Sequence, residues 1–573
     1  MTTTSPSTVN ASPAPLRVAG GRSGNAAAAL AGAVAGGAGI AVAELLAGIV
    51  GGAPSLLIAL GDLVIRLQPP GAKDVAVNLF GTNDKLALNL TVLLVAVALT
   101  AGIGILARRS WNAAVVALCG VALVLAVAAF TEPLVSPLFA ILSPVIALTV
   151  TIRVLRSLIR MIPPMTGPTA ATTAAIAAAG VTAETGATAE TGATAETGAT
   201  GTIATAAATR PAAQMPDWGR RRFLLASGSI AAGSVAAGFV GRALLDRQPS
   251  VPTTAAPVAL PAPLGTIAPL APAASLALSG ITPIVMPNDR FYRIDTALIV
   301  PRVDVASWKL TVKGLVNREV TYTYDQLKAL GIFEQYVTIA CVSNRVGEDL
   351  VGNAKWTGVH LRDVLSAAGV RPEATQIVGR SVDGFTVGFP TAWAMDPARD
   401  PMVAIGMNDA LLPAEHGYPA RLIVPGLYGY VSATKWLAEI ELTTLEAFDA
   451  YWIPLGWAKE APILTQSRID VPRYGATVAP GLVGVGGVAW APDRGIAKVE
   501  VRVDEGPWQA ATLSAAISKA TWVQWRLDWM ATTGSHRLEV RATDGTGDVQ
   551  TEEKTQPAPD GARGHHAITV KVS

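Results

Sequence analysis

The stretch Thr338-Ile339-Ala340-Cys341-Val342-Ser343-Asn344 decides how this 573-residue sequence is read. Its cysteine comes directly after the apolar run Tyr336–Ala340, so it stands where a strand ends and a loop begins. Cys341 is one of only two cysteines, and the other, Cys119, lies inside a long apolar run, so the pair is not placed to form a disulfide. No CxxC, CxxCH or Cys/His cluster occurs, which removes zinc-ribbon, iron–sulfur and c-type haem readings. A lone thiol is most often an inert buried residue. Any role for Cys341 therefore rests on its neighbours.

Outward from Cys341, residues 289–450 alternate short strands and helices. Ser307–Gly314 and Gln335–Ala340 read as strands, and Tyr324–Leu330 and Val359–Ala368 as helices, the second with Leu361, Val364 and Leu365 on one face. This pattern predicts a mixed α+β domain over 285–450. After about residue 470, Ile496–Asp504, Thr521–Trp529, His536–Thr543 and His566–Val572 alternate with period two between Gly/Asp/Pro turns. They predict an antiparallel, immunoglobulin-like β-sandwich over 451–573, with Val523, Trp525, Leu527 and Trp529 facing its core.

Further blocks make the neighbourhood of Cys341 specific. They are Gly352-Asn353-Ala354-Lys355-Trp356-Thr357-Gly358, Leu361-Arg362-Asp363-Val364-Leu365, and Phe389-Pro390 running to Asp396-Pro397. His416-Gly417-Tyr418-Pro419-Ala420-Arg421, Pro425-Gly426 and Lys435-Trp436-Leu437 come next. In this order over about 100 residues they resemble the molybdenum-binding core of the sulfite-oxidase family. The resemblance covers roughly 285–573 and implies a molybdenum–molybdopterin cofactor with Cys341 as thiolate ligand, a soft donor suited to such a centre. It further implies that Arg421 pairs with the cofactor phosphate, that His416 touches the pterin, and that Thr434 and Lys435 close the site. Asn288, Tyr292 and Arg293 fall on the family's entry loop, and Arg380 where a contact comes from the far side. The sequence also departs from the family. The block that holds a tyrosine in sulfite oxidases reads Ala404-Ile405-Gly406-Met407-Asn408-Asp409, and only Arg345 remains of the double arginine that often accompanies the cysteine motif. Tyr428 and Tyr430 lie near enough in sequence to be compensating candidates or simple packing.

The N-terminal half obeys different chemistry. A bilayer core about 30 Å thick asks for roughly 20 apolar residues per helix. Stretches at about 26–50, 86–107, 112–131 and 133–152 meet this, whereas Ser55–Leu67 is short, interrupted by Asp62 and Arg66, and reads as interfacial or re-entrant. Four spans from the inside put Arg17/Arg22, Arg108/Arg109 and Arg153/Arg156/Arg160 on the cytoplasmic face of a transmembrane region over 26–161, behind a disordered 1–25. Residues 162–218, Ala/Thr/Gly-rich with TAETGA three times from Thr182, read as a disordered linker. Gly219-Arg220-Arg221-Arg222-Phe223-Leu224-Leu225 and the mild apolar stretch to 246 resemble a twin-arginine signal, or a fifth span with a basic flank. Either places the domains at 285–573, beyond a Pro-rich linker over 247–284, on the outer face of the cytoplasmic membrane. All five His residues lie at 360 or later, so no haem is expected among the spans.

These readings add up to a membrane-anchored molybdopterin oxidoreductase acting on a small oxyanion or sulfoxide-type substrate. Without haem it exchanges electrons with a separate cytochrome or quinol protein. A homodimer through the sandwich is the expectation by analogy with relatives. A net charge of +2 with no basic stripe argues against nucleic-acid binding. A ligand-binding or sensor module without turnover, displayed on the same tether, is the alternative that Ile405 motivates. A transporter is a poor fit, because the spans carry few polar residues and no ionisable pair.

Overall fold

The computed structural model describes residues 20–68, 79–80, 84–133, 135–162, 217–247, 260–265 and 267–573. The predicted disordered N-terminus up to 19, the linker over 163–216 and the Pro-rich stretch over 248–259 lie outside the described residues. The chain divides into two compact units, Met1–Arg66 with Asn83–Arg247 and Leu67–Thr82 with Gln248–Ser573.

The first unit is made of α1 (Gly20–Ile49), α2 (Leu56–Leu67), α3 (Asp84–Arg109), α4 (Trp111–Phe130), α5 (Pro137–Ile159) and α6 (Asp217–Arg247). Five of them are long and apolar enough to cross a membrane: Gly24–Ile49, Lys85–Arg109, Trp111–Phe130, Pro137–Ile159 and Gly219–Leu245. α2, with 12 residues, is too short to be among them. The fourth span starts later than the hydropathy suggests, because Pro137 opens the helix directly after Ser136, and it runs through Arg153 and Arg156. The inward face of α1 is built of small residues: Ala28, Ala31 and Ala35 are fully buried, while Leu94, Val116, Leu123 and Phe239 on other helices stand exposed. A side chain at Gly32 would come within 2.1 Å of the Thr100 carbonyl oxygen and 2.9 Å of Gly104 Cα, so α1 and α3 meet backbone to backbone.

The second unit begins with an α+β core. One five-stranded sheet runs β2 (Val320–Thr323), β1 (Lys309–Gly314), β10 (Leu437–Thr443), β5 (Gln376–Ser381), β6 (Thr386–Pro390), with β1 and β10 parallel. The other runs β3 (Phe333–Ala340), β4 (Val351–His360), β7 (Met402–Met407), β8 (Ala410–Leu411), with β9 (Arg421–Ile423) on β7. The predicted helix over 359–368 shrinks to Leu361–Ser366 because Val359 and His360 complete β4 against Val403 and Met402. Leu361, Val364 and Leu365 are fully buried as their shared face requires.

Two further sheets, β11 (Gln466–Val471), β13 (Gly481–Trp490), β17 (Val523–Ala531), β16 (Thr512–Leu513) and β12 (Thr477–Val478), β19 (His566–Val572), β18 (Gly534–Asp544), β14 (Ile496–Val503), β15 (Gln509–Ala510), enclose one core. Val523, Trp525 and Trp529 are buried in it, with Leu527 packed at its edge. The sandwich is also stitched to the strand that leads to Cys341. Trp522 N–H donates to Thr338 Oγ1 at 2.8 Å, Thr338 N–H to the Ala520 carbonyl at 2.9 Å, and Trp522 Nε1 to the Ile284 carbonyl at 2.8 Å.

Candidate functional site

β3 is half-buried over its first four residues and fully buried over Val337–Ala340, so it plunges into the core and delivers Cys341 at its buried end. Cys341 N–H donates to the Leu350 carbonyl at 2.9 Å, and Asn344 Oδ1 accepts from Leu350 N–H at 2.9 Å. These bonds close the neck of the 341–350 loop, which gives Asn344 of the motif a structural reason. Arg468 braces the same loop, donating from Nη1 to the Glu348 carbonyl at 2.8 Å.

Cys341 opens into a cavity of about 350 Å³, which Tyr292, Arg421 and Lys435 also line. Arg421, at the start of β9, is 3 % exposed, and Nη1 donates to the His416 carbonyl at 2.9 Å. Its guanidinium sits 5.0 Å over the Trp356 ring, and its Nε has no hydrogen-bond partner among the described residues. Burial pulls Arg421 down to about 10. Lys435 Nζ donates to Asp295 Oδ2 at 3.0 Å and to the Glu415 carbonyl at 2.8 Å. Burial draws Lys435 down to about 8 in spite of Asp295, with the Arg421 cation acting in the same direction as burial. Burial, and then the nearby Cys341, push the Tyr292 hydroxyl well above its ordinary value.

The other predicted residues frame this cavity without lining it. Asn408 ties down the segment at 286–288: its Nδ2 donates to Asn288 Oδ1 at 2.7 Å and to the Met286 carbonyl at 2.8 Å. Asn288 itself donates to the Met407 carbonyl at 3.1 Å. Asn408 adopts a left-handed φ of 51°, which asparagine tolerates better than most residues. His416 is buried, 3.0 Å from the Asn288 carbonyl through Nε2. Burial first, and Arg421 second, hold it down to about 4, so it is neutral and donates that bond. Thr434 is fully buried with an unpartnered Oγ1, and its carbonyl accepts from Leu422 N–H at 2.9 Å. Arg293 is partly exposed and meets Asp295 Oδ2 at 3.1 Å.

Arg380 points elsewhere. It pairs with Glu441 at 2.6 Å and lies over the Phe448 ring, while its neighbour Ser381, on the opposite face of β5, lines the cavity. Asp295 and Asp383 also line it, and no sequence motif singles them out. Asp383 sits in the Asp383-Gly384 turn joining β5 to β6, a hairpin signature that marks the loop but not the direction of its side chain. Burial raises the Asp383 carboxyl, and Asp295 adds to the effect. Ile405 is fully buried in β7. Of the two candidate tyrosines, Tyr430 lines the cavity and donates to the Ala458 carbonyl, whereas buried Tyr428 accepts from Leu464 N–H at 3.4 Å.

A buried thiol, a buried guanidinium with an unmet donor and a buried lysine paired with Asp295 in one cavity fit a ligand that offers a metal to sulfur and a phosphate to cations. That defines the class: an oxidoreductase domain built around an anionic metal cofactor.

Known proteins agree with this class. Residues 297–452 match the family model "Oxidoreductase molybdopterin binding domain". The chain is 31% identical over 271 residues to the mitochondrial sulfite oxidase of Drosophila melanogaster, covering 40% of this chain and 47% of that one. It is 28% identical over 315 residues to that of Homo sapiens, covering 46% and 57%. It also resembles the solved sulfane dehydrogenase SoxCD from Paracoccus pantotrophus at 23% identity and TM-score 0.44, covering 53% of this chain and 86% of that one. Residues 297–452 thus form a molybdopterin-binding oxidoreductase domain similar to that of the sulfite oxidases, which implies a molybdenum–molybdopterin cofactor. It spans about half the length of the curated relatives it matches.

Proposed function

We propose that this chain is a membrane-anchored molybdopterin oxidoreductase performing two-electron oxygen-atom transfer at a molybdenum held by Cys341, on the outer face of the cytoplasmic membrane. The observation that carries the reading is the shared cavity of Cys341, Arg421 and Lys435. When bound, the cofactor supplies the two-electron couple and the site at which oxygen is exchanged. In either direction the balance is XO + 2e⁻ + 2H⁺ against X + H₂O, with X a small oxyanion-forming or sulfoxide-forming centre. A separate cytochrome or quinol protein carries the electrons.

The chain's own residues bind and orient. Arg421 and Lys435 answer the cofactor phosphate, Ser381 offers a hydroxyl, and Tyr292 borders the thiolate. Neutral His416 holds the Asn288 carbonyl and so fixes the segment that carries Tyr292. Arg293 steadies Asp295, which in turn holds Lys435. The five long apolar helices act as the anchor, with the Arg-rich flanks inside, and the C-terminal sandwich is an immunoglobulin-like domain suited to dimerisation. Metal and pterin analysis of the purified chain tests this reading. About one molybdenum per chain, its loss or inactivity in Cys341→Ser, and no Soret band are expected. A chain free of molybdenum, with Cys341→Ser indistinguishable from wild type, would sink it.

A further inference from the structure

Part of the cavity wall is aromatic. Phe385, Tyr430, Trp452 and Trp457 line it, and Gln556, Pro557 and Ala558 reach it from the C-terminal sandwich. Gln556 and Ala558 are exposed, so this wall meets solvent, and Trp452 and Trp457 are half-buried. The wall is tied together. Tyr430 donates to the Ala458 carbonyl, Ala458 N–H donates to the Pro559 carbonyl at 3.0 Å, and the Tyr430 and Trp457 rings stand 5.8 Å apart. Tyr451 joins Phe385 at 5.5 Å to Trp452 at 5.0 Å.

The charges in the cavity do not suit a small dianion. Lys435 is held by Asp295, and Arg421 is the buried donor that the cofactor phosphate answers. Arg345 is the one further cation among the described lining residues, and Asp383 faces the same space. A dianion entering there would lose its hydration beside a carboxylate, with one new cation to compensate. An aromatic wall instead rewards burial of an apolar body.

From this wall we infer that the substrate is a neutral organic oxide, an S-oxide or N-oxide on an apolar group, with Trp452 and Trp457 as specificity-determining residues. The inference rests on the proposed oxygen-transfer function and deepens it. Its test uses the purified full-length holoenzyme in detergent, with reduced viologen as electron donor for methyl phenyl sulfoxide, dimethyl sulfoxide and pyridine N-oxide. Sulfite is assayed with ferricyanide as acceptor, and binding of methyl phenyl sulfide is measured by calorimetry. Methyl phenyl sulfoxide is expected to show a lower KM than dimethyl sulfoxide. Trp452→Ala and Trp457→Ala should each shrink that gap by about tenfold and weaken sulfide binding, at unchanged molybdenum content. The Trp→Phe variants, which keep a ring and guard against misfolding, should retain most of it. Efficient sulfite oxidation with no organic oxide reduced would overturn the inference, and so would Trp→Ala variants whose KM ratio and sulfide binding match wild type. A molybdenum-free chain would instead overturn the function on which it rests.

Discussion

The two units of this chain are built on opposite plans. In the helical unit, alanines and glycines form the close helix contacts, with Leu155, Leu158 and Phe223 also buried, while Leu94, Val116, Leu123 and Phe239 face outward. In the redox unit, Trp356, Trp436, Trp490 and Trp525 are fully enclosed. In water the hydrophobic effect drives large apolar side chains inward. In a bilayer that drive vanishes between helices, and close backbone contact takes its place. The second contrast concerns charge. The redox unit buries Arg421 beside Cys341 with no carboxylate partner and an Nε donor unmet among the described residues, which is costly for the chain alone and suits a site that receives an anion, whereas buried Lys435 is paired with Asp295.

The sharpest way to break the comparison is Arg421→Met. If the buried cation exists for the cofactor, this variant should lose molybdopterin by two or more orders of magnitude in affinity, in line with the roughly 3–5 kcal/mol attached to unpairing a buried charge. The cofactor-free chain should melt at or above the wild-type temperature, because a desolvated guanidinium has been removed. Pterin content by fluorescence after oxidation, together with apo-protein melting, checks both halves. A variant that keeps its pterin but melts lower would make Arg421 a structural residue.

The helical unit gives the next effect. Gly104→Leu places a side chain where a Cβ alone would approach the Ala28 carbonyl oxygen at 2.1 Å and Gly32 Cα at 2.8 Å. Backbone cannot yield as a side-chain tip does, so the helices must part, at about 1–3 kcal/mol or more for overpacking. The expected result is a lower melting temperature and earlier aggregation of the full chain in detergent, with molybdenum content per folded chain unchanged. Gly102→Leu, where no atom lies within 4 Å of the added Cβ, is the control and should behave as wild type.

Most of this architecture was legible in the sequence where one physical rule dominates. Hydropathy located four of the five long helices, three to within about two residues and the fourth four residues early at its start and seven short at its end, while the stretch at 219–245 stayed open between a fifth span and a twin-arginine signal. The blocks around Cys341 carried a family resemblance that implied the cofactor, and the structure brings Tyr292, Arg421 and Lys435 to the same cavity. What stayed hidden depends on which way a side chain leaves the backbone. Arg380 and Ser381 are adjacent in sequence, and only pairing in the sheet sends Ser381 to the cavity and Arg380 to Glu441. Asp295, Asp383 and Trp457 belong to turns and loops whose course is set by distant partners. The support of the Thr338 strand by Trp522 joins residues 184 positions apart, and no local pattern announces it.

The smallest effect separates the two plans by pH. In the redox unit, His416 and His566 are both held down to about 4, chiefly by burial, with the Arg421 and Arg468 cations next in importance. Each is neutral when folded and takes up its proton near pH 6.5 when unfolded. Between pH 6.5 and 4 the unfolded chain therefore binds more protons, so stability falls as pH falls. The loss is at most about 1.4 kcal/mol per pH unit for each histidine. Above pH 7 both contributions are complete and the curve from these groups is flat. His416→Gln keeps an amide donor within reach of the Asn288 carbonyl but cannot titrate. It should remove the His416 share of the acid-limb slope, at most about 1.4 kcal/mol per pH unit, in urea unfolding measured at pH 4.5, 5.5 and 6.5, while leaving the helical unit, which has no histidine, unchanged. A slope equal to wild type would mean that His416 is already protonated in the folded chain, and that the Asn288 segment is held by a charged donor and not a neutral one.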